Sequence, residues 1–182
     1  MSTTTPPIAP IEPETATGPA KDLLDQVQKS LGLVPNMTKV MANSPALLKG
    51  YLALNGAVAT GSIPAPVRER LAIATAQLNG CEYCLSAHTY IGSNIAKLDA
   101  NELEAARRSE SENAHVTALL ALSKAIAENA GAVSDAEIAD ARAAGITDAE
   151  MGDLVANLAL NVLTNYFNVF AGVENDWPVV KL

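Results

Sequence analysis

The chain has 182 residues, carries a formal net charge of −8, and is 49% apolar but only 4% aromatic. That length gives one domain with a real core, and that acidity argues against nucleic acid as a partner, because phosphates must be met by clustered Lys and Arg. No window approaches the roughly 20 uninterrupted apolar residues that span a bilayer.

The composition is rich in Ala and Leu and lacks alternating runs of Val, Ile and Thr, which predicts an all-α fold of helices packed on helices. Residues 1–18 are Thr- and Pro-rich and read as a flexible arm. They have neither the basic start nor the apolar stretch of a signal peptide, so the expected location is the cytoplasm and the expected membrane partner is none. Residues 19–182 read as a single helical domain. Leu23, Leu24, Val27 and Leu31 share one helical face, and Gly32 stops that helix. Ser44 with Pro45 opens the next, and a further proline-led segment ends at Asn79-Gly80. Capping patterns pair Asp99 with Glu102, Ser134 with Glu137 and Thr147 with Glu150. They predict helices over about 113–130, 134–144 and 147–171, and "DWPVVKL" reads as a tail.

The stretch "NGCEYCLSAH", residues 79–88, holds both cysteines of the chain and one of its two histidines. On a helix starting after Gly80, Cys81, Cys84 and His88 fall at i, i+3 and i+7, within roughly 60° of one another. Cys81 would lie at the first turn, where unpaired N–H groups and the helix dipole favour a thiolate. His88, one turn below Cys84, could take a proton from it directly or through a water. Asn79-Gly80 reverses the chain, so Glu69 on the preceding helix could face His88, raise its basicity and fix its tautomer. A redox dithiol is one reading of this set. A structural disulfide, a metal clasp made by Cys81, Cys84, His88 and Glu69, and cysteines that merely fill the core are others.

The ordered set Glu69, Cys81, Cys84, His88, written E-x11-C-x2-C-x3-H, resembles the signature of the AhpD-like alkylhydroperoxidases of the carboxymuconolactone decarboxylase superfamily, in its peroxidase-related branch. "LGLVPNMTKVMANSPALLKGYLAL", "IPAPVRERLAIATAQLNGCEYCLSAHTYIG" and "ARAAGITDAEMGDLVANLALNVLTNYFNVFAG" resemble its lead-in, core and C-terminal helices. The resemblance implies an all-α, oligomeric protein, a trimer or hexamer, that reduces organic hydroperoxides. By the same resemblance Cys84 attacks the peroxide and becomes a sulfenic acid, Cys81 resolves it to a disulfide, and Glu69 and His88 relay the proton. It implies no metal, flavin or haem, and an external reductant, a small-molecule dithiol or a lipoyl-bearing or thioredoxin-like protein. The alternatives to that function are a thiol–disulfide oxidoreductase or redox sensor, and a metal-clasped structural oligomer.

One position departs from the family pattern. Tyr83 stands where well-studied AhpD-type enzymes carry a further histidine, so Tyr83 either donates a hydrogen bond in its place or packs. Asn157, Asn161, Asn165 and Asn168 form a stripe along the last helix, which reads as a wet groove, a polar seam between subunits or a solvent face. His115 reads as a surface residue. Met37, Met41 and Met151 read as core filler.

Overall fold

A computed structural model of the protein describes residues 6–182. Among these residues the fold is all-α: α1 (Gly18–Leu31), α2 (Asn36–Met41), α3 (Pro45–Val58), α4 (Ala65–Leu78), α5 (Glu82–Asn94), α6 (Ala100–Arg107), α7 (Ala114–Glu128), α8 (Asp135–Ala143) and α9 (Asp148–Ala171). The helix starts follow local chemistry. Ser44 caps α3 by accepting the Leu47 N–H, and Ser134–Glu137 and Thr147–Glu150 form reciprocal capping boxes at α8 and α9. Asp99 caps α6, but the Glu102 carboxylate does not return to it. It is taken instead by Arg70 Nε at 2.5 Å, the Ser111 hydroxyl at 2.7 Å and the Glu112 N–H at 2.6 Å. The α1 and α9 helices end at Gly32 and Gly172, both left-handed, a conformation that costs glycine little.

Helix α4 is the hub of the packing. It lies against α5, α6, α7 and α9 and contributes to both apolar clusters. Ile73 and Ala76 join Leu24, Val27, Met41, Leu48 and Leu85 at one end, while Val67 and Leu71 join Leu119, Leu120, Ile146 and Leu154 at the other. Each fully buried Leu or Ile stabilises the fold by about 2 kcal/mol relative to exposure. Helix α9 is long and apolar enough by composition to cross a membrane, but half of that window is buried within this domain.

Two segments expected to be free are docked. Residues 1–5 of the expected arm lie outside the described residues. Farther along, the Asn43 side chain donates to the Ala9 carbonyl at 2.8 Å, the Ile11 N–H donates to the Lys39 carbonyl at 3.0 Å, and Glu12 pairs with Lys39. Ile11 and Ala16 supply the apolar anchors, which the Pro- and Thr-rich composition hides. The expected tail is likewise a strap across α5: Asn175 Nδ2 and the Val180 N–H both donate to the buried Ser86 hydroxyl at 3.0 Å, and Trp177 packs on Tyr90.

Candidate active site

The turn between α4 and α5 is made by Asn79 and Gly80. Gly80 has φ +65°, which a side chain resists, and the Cys81 N–H then returns to the Ala76 carbonyl at 2.9 Å. Cys81 is thereby placed as the N-cap of α5, where Ser or Asp would be usual. Its Sγ accepts the Cys84 N–H at 3.3 Å. Both cysteines are buried free thiols, 1% and 3% exposed.

The same turn pairs α4 with α5 in opposite directions. Glu69 and His88 are nearly equidistant from it along the chain, and His88 Nδ1 lies 2.8 Å from Glu69 Oε2. The structure therefore brings Glu69, Cys81, Cys84 and His88 to one α4–α5 hairpin. Burial is the largest influence on His88 and disfavours its charge. The Glu69 carboxylate, by charge and hydrogen bond, and Cys81 outweigh it and hold the imidazole above its usual pKa.

The two thiols differ in acidity. Cys81 is held below the ordinary thiol range, first by its interaction with the Cys84 thiol. Burial opposes this, while the Cys84 N–H, the His88 charge and the Asn168 amide favour the thiolate. Cys84 is pushed up, first by the interaction with Cys81, then by burial and by the Cys81 charge; the Asn168 and Asn165 amides pull the other way. Of the two thiols, Cys81 is therefore the more acidic and Cys84 the one that holds its proton more tightly.

The asparagine stripe is not a solvent face: Asn157, Asn161, Asn165 and Asn168 are all buried within this chain. Asn157 and Asn161 bond back to carbonyls one turn earlier on α9. Asn165 Oδ1 accepts from Asn79 Nδ2 at 3.0 Å, which ties α9 to the turn before Cys81. Asn168 Nδ2 donates to Cys84 Sγ at 3.1 Å and to Met37 Sδ at 3.4 Å. The spacing located this stripe in the sequence, but only the packing of α9 on α5 reveals that its last two members meet a sulfur.

The Tyr83 side chain reaches the start of α2. Its hydroxyl accepts the Met37 N–H at 3.3 Å, closing the start of α2, and burial pushes its pKa up. Of the two readings left open at this position, the packing one describes what the side chain does. Tyr51 is a site neighbour with no signal in the sequence: burial first, then the charges of Cys84 and Glu69, push it up to about 12. Glu82 pairs with Lys181 of the C-terminal strap. His115 is not an unpartnered surface residue. Its Nδ1 lies 3.0 Å from the Ala144 carbonyl and its Nε2 2.8 Å from Glu150, joining α7 to the start of α9. Among the described residues, no group of three or more His, Cys, Asp or Glu is arranged to hold a metal ion.

The chain matches the model of the carboxymuconolactone decarboxylase family over residues 45–128. No curated protein matches it in sequence. Among solved structures, it resembles an AhpD-core, peroxidase-related protein from Ralstonia eutropha JMP134, with TM-score 0.82 and 22% identity over 96% of this chain and 94% of that one. A peroxidase-related protein from Silicibacter sp. TM1040 is similar, with TM-score 0.78 and 20% identity over 97% and 95%. So is the debrominase Bmp8 in complex with 2,3,4-tribromopyrrole, with TM-score 0.79 and 19% identity over 97% and 94%. At these identities the structural likeness speaks to the fold, and the reactions named for the neighbours differ. Joined to the match with the carboxymuconolactone decarboxylase family model across α3 to α7, which includes the whole Glu69–His88 hairpin, it shows an AhpD-like helical fold with a core similar to that family.

Proposed function

We propose that the protein is a dithiol peroxidase that reduces organic hydroperoxides. The observation that carries this reading is the pair of free, buried thiols at the start of α5, with the Glu69–His88 pair on the same hairpin. The reaction begins when the Cys84 proton crosses to Cys81, because the thiolate and not the thiol attacks. Cys84 Sγ bonds to the terminal peroxide oxygen, the O–O bond breaks, and the alkoxide takes a proton supplied through Cys81 and His88. Cys81, again a thiolate, attacks the Cys84 sulfenic acid, and hydroxide leaves as water once protonated. Two thiols and one hydroperoxide give one disulfide, one alcohol and one water.

An external dithiol, lipoyl-bearing or thioredoxin-like, reopens the disulfide by exchange. The peroxidase-related neighbours favour this chemistry, and the debrominase among them means that the fold does not choose it; the free, buried dithiol is what supports this reading.

The test is thiol counting on the reduced protein before and after one equivalent of cumene hydroperoxide, with mass analysis of the peptide holding Cys81 and Cys84. Loss of both thiols to an internal disulfide supports the reading. Unchanged thiols overturn it, and disulfide exchange with small disulfides but no peroxide consumption would make the protein a thiol–disulfide oxidoreductase instead.

A further inference from the structure

Two polar atoms beside Cys84 have no hydrogen-bond partner among the described residues: Asn168 Oδ1 and Asn165 Nδ2. Both side chains are buried, Asn165 at 0% and Asn168 at 3% exposure. A buried carboxamide normally satisfies both of its ends. Here each asparagine uses one end and leaves the other open. Asn165 spends its oxygen on Asn79, and Asn168 spends its NH₂ on Cys84 Sγ and Met37 Sδ. The Asn165 amide faces the Cys84 sulfur closely enough to favour its charge, yet makes no hydrogen bond. What remains is one free acceptor and one free donor, from adjacent turns of α9, both next to the sulfur that attacks.

That pair of vacancies complements one functional group. A hydroperoxide, R–O–O–H, presents a single donor on its terminal oxygen and lone pairs on the inner one. We propose that Asn168 and Asn165 hold the hydroperoxide: Asn168 Oδ1 accepts the terminal O–H, and Asn165 Nδ2 donates to the inner oxygen. The proposal rests on the peroxidase reading and extends it to substrate recognition. Held this way, the terminal oxygen is presented to Cys84 Sγ, and the bond that breaks has a donor waiting at the oxygen that leaves. As the S–O bond forms and the O–O bond breaks, the electron pair moves onto the inner oxygen, and the Asn165 N–H stabilises the alkoxide until the relay delivers its proton. The product sulfenic acid, S–O–H, leaves its own hydroxyl facing Asn168 Oδ1. The arrangement selects a free O–O–H group, so a dialkyl peroxide, which has no O–H, is rejected.

The experiment compares two second-order rates at one pH on the reduced Cys81→Ser protein, in which Cys84 is the single thiol, with and without Asn165→Ala or Asn168→Ala: with tert-butyl hydroperoxide, and with iodoacetamide. Both reagents need the thiolate, but iodoacetamide has no O–O–H to hold. The expected result is a fall of about 10²-fold in the ratio of peroxide rate to alkylation rate in either variant. Wild type should leave di-tert-butyl peroxide untouched. If both rates fall together, the asparagines act on thiol ionisation or on folding, and the holding role is overturned. Each variant is judged by its own ratio, so misfolding of one leaves the other decisive. If the wild type consumes no tert-butyl hydroperoxide at all, the peroxidase reading itself fails and takes this one with it. If it does and the ratio is unchanged, only the holding role fails.

Discussion

Glu69 Oε2 and His88 Nδ1 meet at 2.8 Å across the α4–α5 hairpin, and the charge they sustain reaches Cys81. Alkylation of the reduced protein should therefore show a midpoint pH below that of an ordinary cysteine, about 8.5. His88→Gln removes the cation that favours the thiolate, so the midpoint should rise. A rise of one unit is about a tenfold loss of thiolate at neutral pH. Glu69→Gln should shift it the same way, by weakening His88. A midpoint that stays put in both variants would detach the pair from the dithiol. The pair also carries a stability term of definite sign. The folded His88 keeps its proton to higher pH than the unfolded chain, so the term is complete below about pH 6.5 and is lost as pH rises through the folded value.

The difference in acidity separates the roles of the sulfurs. Cys81→Ser should leave Cys84 oxidised to a sulfenic acid that a dimedone-type reagent captures, with no disulfide. Cys84→Ser should abolish hydroperoxide consumption. Capture of a sulfenic acid on Cys81 in the Cys84→Ser protein, formed at the wild-type rate, would instead assign the first attack to the more acidic sulfur.

Arg70 and Glu102 form a shielded pair, with side chains 14% and 7% exposed. Burial works against the Glu102 charge, but the Glu112 N–H, the Ser111 hydroxyl and Arg70 together hold its carboxyl below the usual range. Glu102→Ala strands Arg70 and leaves the link between α6 and α7 unmade, and should cost about 3 kcal/mol in urea denaturation. In the wild type this contribution is complete above the unfolded carboxylate pKa of about 4.3, and it is lost as pH falls through the lower folded value. Glu102→Gln should flatten that acid limb of the stability curve.

Val155, Tyr166, Val169 and Phe170 lie along the outer face of α9, and Phe170 is 69% exposed. A large apolar stripe of this kind marks an interaction surface. We infer that a second copy of the chain covers it, in keeping with the oligomer that the family resemblance implies. Phe170→Glu should lower the mass measured by light scattering without changing the helical content. A wild type that is monomeric at micromolar concentration would remove this inference.

Much of the helical order was legible because caps are local. Ser44, Ser134, Thr147, Gly32 and Gly80 each act on a turn within four residues. The approach of Glu69 to His88 was legible for a related reason: one tight reversal sets the register of both helices. The short helix α2 left no periodic trace in its six residues. The docking of residues 9–16 and of the C-terminal strap depends on single anchors such as Ile11 and Ser86, whose partners are far away in sequence. The asparagines were visible as a stripe, but which of them meets Cys84 depends on how α9 is rotated against α5, and no local pattern encodes that.

Cys81 does two jobs with one atom. Its sulfur caps α5, and an anion at that position is favoured by the helix N-terminus. Oxidation to a disulfide makes the sulfur neutral and weakens it as an acceptor, so the first turn of α5 is better held in the reduced protein. By thermodynamic linkage, the capping free energy raises the reduction potential of the dithiol, making its disulfide more readily reopened. About 1 kcal/mol of cap stabilisation corresponds to about 20 mV for a two-electron couple. The helix start is thus a setting on the redox scale, and substituting residues of the first turn, with both cysteines left in place, should tune how strong a reductant the protein requires.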